Sequence, residues 1–359
     1  MEITREAPAA APGAPGYDLY ELDAELWDGV LFDLFGNDDL GQSPLRRWAE
    51  STAPRVTRHQ LVVARENGVV LGVALLELPQ LDNRHIAFLS IAVRPQHRRR
   101  GVGGALFDEA AALAAEDGRH DLQAWTWDRL VAPGAGTISA AQGDGVIDPT
   151  ADGAAFLLSR GFTLAQVDLM SGLTLQAQVE LEQLAAETRS AVPARYSLVQ
   201  WRGDTPQRWI EDAAALQVAM STDIPTGTAD LRPELVDAER VRSEDRRRRE
   251  GGLDELVTAV EHDGRLVAFT RVIQDPSRPE IADQWDTLVV GAHRGNGLGL
   301  LIKTASHATL RATWPRIRRL ITGNASENSW MLAINRRLGY LPVAASGWFT
   351  RKDPGHGTE

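Results

Sequence analysis

One short pattern occurs twice in this chain of 359 residues. The pattern Arg-x-x-Gly-x-Gly begins at Arg98 and again at Arg294, and each time it follows an apolar, strand-like run and opens a helix-like run. A single glycine-rich turn is weak evidence for a phosphate-binding site. The same strand–turn–helix unit repeated at about half the chain length indicates two copies of one domain.

The repeated pattern has the chemistry that a diphosphate requires. Backbone N–H groups converge at the N-terminus of a helix, where the helix dipole also favours negative charge. Gly297 and Gly299 let that backbone approach a ligand without obstruction by a Cβ atom, and Arg98 and Arg294 can add charge-assisted hydrogen bonds. The alternative is an ordinary strand–turn–helix unit whose glycines serve close packing, and the repetition argues against it.

The predicted elements recur in nearly the same order in the two halves. Two helices precede a hairpin, whose turns are predicted at Asn67-Gly68 and Asp263-Gly264 because such pairs favour type I′ turns. A strand then enters the glycine-rich turn, a helix follows, and further strands and a short helix complete each half. Strands that alternate with helices around a central sheet predict an α/β fold.

The repeat also suggests domain boundaries. We predict a flexible N-terminal arm (1–16), an N-terminal domain (17–174), a connector (175–192), a C-terminal domain (193–352) and a tail (353–359). The first copy is longer because of the stretch from Leu130 to Ala151, which is rich in Gly, Ala and Asp and has no periodicity. Such a long loop is a lid, an interface element or a tolerated insertion.

Composition narrows the functional classes. The net charge of −11 argues against a general nucleic-acid surface and favours cationic or amine-bearing substrates. No apolar stretch approaches the roughly 20 residues of a membrane span. The absence of cysteine excludes disulfides, thiolate catalysis and cysteine metal sites. We therefore expect a cytoplasmic protein that uses no metal and binds neither nucleic acid nor membrane, as a monomer or a homodimer.

The residues resemble the GNAT superfamily of N-acetyltransferases, and in particular its tandem, two-domain members of the mycothiol synthase type. The second copy carries the most specific part of the resemblance, which is the strand Thr287 to Val290, the turn His293 to Gly299, then Asn324, Asn328 and Leu338-Gly339-Tyr340. The resemblance implies two domains, each with a mixed, bent sheet and helices on both faces. Two central parallel strands of each sheet would splay apart, and acyl-CoA would lie in that V.

The resemblance also implies which residues bind the cofactor, acetyl-CoA or another acyl-CoA. Backbone groups of Leu288 and Val290 would meet the pantetheine arm, and Asn328 would contact the cofactor near the splayed strands. The other predicted residues form the two turns and the strand before the first, namely Arg294, Gly295, Asn296, Gly297, Leu298 and Gly299, with Val93, Arg98, Arg99, Gly101, Val102 and Gly103 in the first copy.

Acetyl transfer to an amine needs a base or a water relay, donors for the oxyanion and an acid for the departing thiolate. Side chains alternate along a strand, so Glu280, Ala282, Gln284, Asp286 and Leu288 are expected on one face. Asp286 is the best candidate for the base, with Glu280 behind it. The alternative for Asp286 is a carboxylate that holds a neighbouring backbone group or arginine.

The first copy is poorly equipped for chemistry. The matching face of its strand is apolar except for His85, for which a structural role is the simpler interpretation, and Thr150 stands where the second copy has Asn328. Many members of the family carry a tyrosine acid four residues before the final glycine–aromatic pair. That position is Leu157 in the first copy and Asn335 in the second, and an amide cannot release a proton at neutral pH.

The sequence therefore predicts an acyl-CoA-dependent N-acetyltransferase whose C-terminal domain acetylates an amine of a small molecule. Trp285, Trp330 and Trp348 are candidates for lining the acceptor pocket, or for core packing. Two alternatives remain open. The acceptor is an amine of a protein or peptide, or the chain is a non-catalytic acyl-CoA sensor or assembly module.

Overall fold

The computed structural model describes residues 1–51 and 56–352, so the predicted tail from 353 lies outside the described residues. The first half contains strands β1 (Glu2–Glu6), β2 (Thr57–Glu66), β3 (Val69–Pro79), β4 (Ile86–Val93), β5 (Asp121–Trp125), β6 (Ile138–Ser139), β7 (Val146–Ile147) and β8 (Thr163–Thr174). Its helices are α1 (Asp18–Phe35), α2 (Pro44–Glu50), α3 (Val102–Glu116) and α4 (Asp152–Ser159).

The second half repeats this plan after a connecting helix, α5 (Gln178–Ser190). Its strands are β9 (Ser197–Arg202), β10 (Asp254–His262), β11 (Arg265–Gln274), β12 (Ile281–Val289), β13 (Arg319–Ala325) and β14 (Leu341–Lys352). Its helices are α6 (Ile210–Asp223), α7 (Ala238–Glu250), α8 (Leu298–Thr313) and α9 (Ser329–Leu338). The α/β class is confirmed.

The two halves share one mixed sheet. Its strand order is β1-β2-β3-β4-β5-β14-β8-β13-β12-β11-β10-β9. The last strand of each half therefore lies beside the other half, since β14 pairs with β5 (Trp348 opposite Trp125) and β8 pairs with β13 (Leu173 opposite Leu320). A mixed sheet in each half was predicted, and the structure adds that the exchange of closing strands joins the two halves into one continuous sheet.

Each half has a pair of parallel strands that separate. β4 and β5 pair only from Ile86 to Phe88, and β12 and β13 pair only from Ile281 to Asp283. Beyond these three positions each pair opens toward its glycine-rich turn. The V expected from the resemblance is therefore present in both halves.

Both predicted hairpin turns are confirmed. Asn67 and Gly68 have φ of 52° and 80°, and Asp263 and Gly264 have φ of 52° and 77°. Two consecutive positive φ angles define a type I′ turn, whose twist matches that of the flanking strands.

The N-terminal arm is not a flexible segment, and that prediction is wrong. Residues Glu2 to Glu6 form β1, which pairs antiparallel with β2 along the outer edge of the sheet. Ala9 is buried, and its carbonyl accepts a hydrogen bond from the Trp48 indole at 2.8 Å. The edge strand satisfies backbone groups of β2 that would otherwise be unpaired.

The long segment of the first half is an interface element. It contains the short strands β6 and β7 and places Ile147 fully inside the first core. Gly145 lies so close to Val167 and Ser326 that an added Cβ would be within 2.8 Å of each. The segment therefore packs against the turn between β13 and α9 of the second half.

No helix among the described residues is long and apolar enough to span a membrane.

Candidate active site

The two glycine-rich turns have the same geometry. Arg98 donates from Nε to the Val93 carbonyl at 3.1 Å, and Arg294 donates from Nε to the Val289 carbonyl at 3.0 Å. Gly101 and Gly297 precede α3 and α8 with φ of 85° and 76°, a conformation that favours glycine. In both halves the arginine braces the turn and the helix presents its first N–H groups outward, as an anion site requires.

A groove of about 420 Å³ lies beside the second turn. Gly295, Asn296 and Gly297 of the turn line this groove. Val192 of the connector also lines it and lies 3.4 Å from a Cβ placed at Gly297. Arg337 of α9 lines the opposite wall and adds a cation that the sequence analysis missed. The signal was present, because Arg337 is two residues before Gly339, where the first half has Ser159 before Gly161.

The approach to the first turn differs. Arg99 adopts φ of 58° and forms an ion pair with Asp152 at the start of α4. The short helix packs on the turn in both halves, because a Cβ placed at Gly103 would lie 3.7 Å from Phe156 and one placed at Gly299 would lie 3.1 Å from Ile334. The ion pair of Arg99 with Asp152 is therefore the feature that distinguishes the first turn.

The backbone of β12 corrects one predicted contact. Val290 donates its N–H to the Val267 carbonyl at 3.0 Å, and its carbonyl accepts from the His293 N–H at 2.8 Å. Because hydrogen-bonded pairs alternate along an antiparallel ladder, Leu288 also directs its backbone groups to β11. Thr287 and Val289, rather than Leu288 and Val290, present backbone groups to the open V.

A β-bulge in β12 overturns the expected face. Thr270 lies opposite Thr287 but Val272 lies opposite Gln284, so Trp285 and Asp286 together face a single residue of β11. An extra residue reverses the alternation of side chains. Asp286 therefore lies on the face opposite Gln284, and the prediction that these residues share a face is wrong.

Asp286 belongs to a buried ionic network. It forms an ion pair with Arg271, whose guanidinium also lies 3.7 Å from Glu255. Burial raises the pKa of Glu255, while Arg248 and Arg271 oppose that rise. The Asp286 side chain is 27% exposed, so the carboxylate still reaches solvent.

Glu280 does not join Asp286. It precedes β12 at the end remote from the glycine-rich turn, is half-exposed and lies 3.7 Å from Arg318. Glu234, in the segment between α6 and α7, is the carboxylate that the sequence analysis missed. Burial raises its pKa, Arg240 lowers it, and the nearby charges of Asp82, Glu244 and Asp286 raise it further.

A second polar cluster, on the α8 side, fills the floor of the V. Lys303 of α8 donates to the Asn335 carbonyl oxygen at 2.7 Å, and the Asn335 amide donates to Asn324 of β13 at 2.6 Å. His307 lies 3.0 Å from Gln284 of β12 and 3.3 Å from the Tyr340 hydroxyl. We call these six residues the floor cluster.

Burial sets the protonation of the floor cluster. It lowers the pKa of Lys303 to about 7, and together with the charge of Lys303 it lowers the pKa of His307 to about 3. It raises the pKa of Tyr340 well above its ordinary value. Each of these side chains is almost completely inaccessible to solvent.

The comparisons with known proteins agree with this geometry. A family model described as the acetyltransferase (GNAT) family matches residues 17–129. A tandem GNAT protein from the clavulanic acid biosynthesis pathway, solved without acetyl-CoA, is 25% identical and superposes with a TM-score of 0.76 over 100% of both chains. The chain therefore contains a GNAT family domain at residues 17–129 and has, over its whole length, the fold of a tandem GNAT protein. No curated protein gives a significant match.

Two other solved structures share the fold of this chain. A GCN5-related N-acetyltransferase from Sphaerobacter thermophilus is 13% identical, with a TM-score of 0.57 over 98% of this chain and 95% of that one. A GCN5-related glucosamine N-acetyltransferase region of a fungal multi-domain GH3 beta-N-acetylglucosaminidase is 12% identical, with a TM-score of 0.60. The match covers 98% of this chain and 38% of that longer chain.

Two other residues singled out from the sequence have structural partners. Asn328 caps α9, because its side-chain oxygen accepts from the Met331 N–H at 3.2 Å. His85 lies 3.0 Å from the backbone carbonyl of Asp230, in the segment between α6 and α7, so it holds the two halves together.

The three tryptophans do not form one pocket. Trp348 is buried, stacks on Trp125 and donates to Gln123, all beside the first half. Trp330 is 85% exposed. Trp285, in the bulge, is 43% exposed, and the guanidinium of Arg46 lies 5.4 Å from its ring centroid.

Proposed function

We propose that the second half of this chain transfers an acetyl group from acetyl-CoA to an amine of a small molecule. GNAT acetyltransferases as a family use acetyl-CoA to acetylate an acceptor. One observation carries the assignment to the second half. This half combines an open groove at its glycine-rich turn with ionisable side chains on both faces of its sheet.

The second turn fits a CoA diphosphate. Gly297 has a positive φ and its missing Cβ leaves the groove open, so the first N–H groups of α8 are accessible to an anion. Arg337 supplies a cation on the opposite wall. The pantetheine arm would run along the V past Thr287 and Val289.

The acceptor would enter from the face that carries Asp286. Asp286 and Glu234 place carboxylates on this side, and their charge, which Arg271 and Arg240 offset in part, favours a cationic amine. Asp286 would take the amine proton directly or through water, with Arg271 fixing its orientation. The tandem GNAT protein with 25% identity comes from the pathway to a small molecule, which supports a small acceptor over a protein.

A second candidate function rests on Asn335. An amide at this position cannot protonate a departing thiolate, which favours an acyl-CoA sensor that binds without turnover. The two functions differ in one measurable property, which is release of CoA in the presence of an amine.

The experiment compares equivalent substitutions in the two turns. Gly101→Glu and Gly297→Glu place a carboxylate at the same backbone position, each with a positive φ. We expect Gly297→Glu to abolish CoA release from acetyl-CoA across a panel of small amines, and Gly101→Glu to retain it. The reverse result would move the reaction to the first half. Tight CoA binding without turnover of any amine by the unmodified chain would establish the sensor.

A further inference from the structure

Lys303 is an unusual residue in this chain. The sequence contains only two lysines, Lys303 and Lys352. Lys352 is half-exposed and lies 3.1 Å from Asp230, whereas Lys303 is 1% exposed. No carboxylate among the residues that the structure describes forms an ion pair with Lys303, and its hydrogen bond goes to the neutral amide of Asn335.

A buried ammonium without a counter-ion is costly, so its position needs an explanation. The other groups of the floor cluster are neutral. The helix of Lys303 contributes His307, α9 contributes Asn335, β13 contributes Asn324, β12 contributes Gln284, and Tyr340 places its ring centroid 5.4 Å from Nζ. Nothing in the floor cluster neutralises a positive charge.

The pairing of β12 with β13 locates the floor cluster in the sheet. Gln284 follows Asp283, the last residue of β12 paired with β13, and Asn324 lies three residues past the last paired residue of β13. The floor cluster therefore lies where the two strands begin to separate. On the proposed function, which this inference deepens, the thioester of acetyl-CoA lies in that opening.

We propose that Lys303 is the proton donor to the CoA thiolate. The acceptor amine attacks the thioester carbonyl carbon, and its proton leaves toward Asp286 or water. The tetrahedral intermediate then collapses, the C–S bond breaks, and the sulfur takes a proton from the Lys303 ammonium. Lys303 regains a proton from water that enters the V once CoA has left, so one amine and one thioester give one amide and one thiol.

The other titratable groups of the floor cluster cannot take this role. His307 is neutral at all but acid pH and has no proton to give as an imidazolium, and Tyr340 holds its proton more tightly than a free phenol. A lysine whose pKa lies near 7 is protonated in part of the population and can release its proton at neutral pH. Lys303 therefore provides the transferable proton that the amide of Asn335 does not have.

The first test locates Lys303 relative to the sulfur and needs no acceptor. Lysine labelled with ¹³C in the intact chain gives two side-chain signals, and Lys352→Arg assigns them. We expect the titration midpoint of Lys303 to differ between the complexes with CoA and with desulfo-CoA, which lacks only the sulfur. The signal of Lys352 should be the same in both complexes. Identical midpoints of Lys303 in the two complexes would overturn the proposal.

The second test measures the reaction. We expect Lys303→Met to lower kcat by about tenfold or more while the Kd for CoA stays unchanged, since general acid catalysis typically contributes at least that factor. Lys303→Arg keeps the charge but releases no proton at neutral pH, so it should be similarly slow. Full activity of either variant would overturn the proposal. If the unmodified chain turns over no amine, the proposed function fails, and the desulfo-CoA comparison alone then decides whether Lys303 meets the sulfur.

Discussion

The buried ammonium of Lys303 predicts a specific dependence of stability on pH. A fall in the pKa of Lys303 from 10.5 to about 7 means that burial disfavours the charged form by about 5 kcal/mol. Between these two values the unfolded chain holds a proton on Lys303 that the folded chain has lost. The free energy of unfolding must therefore rise with pH across this window, and Lys303 contributes no slope below or above it.

The magnitude follows from the same two values. From pH 7 to pH 9 the contribution of Lys303 to the free energy of unfolding grows by about 2 kcal/mol. For a unit of about 150 to 250 residues this corresponds to about 4 to 8 °C in the thermal midpoint. Other groups titrate over the same range, so the quantity to compare is the difference between the original chain and Lys303→Met.

Calorimetric scans of both chains at a series of pH values check this prediction. Lys303→Met leaves the Asn335 oxygen without its donor, which costs about 1 to 3 kcal/mol. That cost does not change with pH, so it offsets the two curves without altering their slopes. The free energy of unfolding of the original chain should increase relative to that of the variant as the pH rises from 7 to 9. Parallel curves would refute the conclusion that burial disfavours the charge of Lys303.

Three further predictions concern the groove, the ionic network and the exchanged strand. Arg337→Ala should weaken CoA binding by about tenfold, because it removes one charge-assisted contact. The control Arg336→Ala changes a residue outside the groove lining and should leave binding unchanged. Equal Kd values for the two variants by calorimetry would show that Arg337 does not bind CoA. Asp286→Asn leaves buried Arg271 with only the more distant Glu255, at 3.7 Å, and should lower stability by about 3 kcal/mol. Adding Arg271→Met should restore stability but not turnover, and restored turnover would exclude Asp286 as the base. A chain that ends at Tyr340 lacks β14, so amide exchange in β5 should accelerate; unchanged protection would contradict the strand exchange.

Much of the fold follows from local signals. The repeated turns, the type I′ hairpins and the alternating elements are encoded within short windows, and the structure confirms them. The strand exchange could not be predicted in this way. β8 and β14 are both apolar and are each the last strand of their half. Their periodicity does not determine whether each pairs with its own half or with the other half.

The candidate site also contains some features that local sequence predicts and others that it does not. The glycine-rich turns depend on residue type at fixed spacing, so sequence predicted them. Asp286 was placed on the wrong face because a bulge carries no reliable sequence signal, although one extra residue reverses every side chain beyond it. Lys303 was missed because a lysine within a helix ordinarily faces solvent, and only tertiary packing buries it.

Because closing strands are exchanged, the first half contributes residues to the surroundings of the site proposed in the second half. Arg46 of α2 in the first half is buried, donates to Asp283 at 2.7 Å and lies over Trp285, which flanks Asp286 in the bulge. β8 of the first half completes the sheet next to β13, one wall of the V. The first half thus builds part of the second site whether or not it binds a ligand itself. Substitutions in its core should therefore change the geometry around Asp286 as well as its own stability.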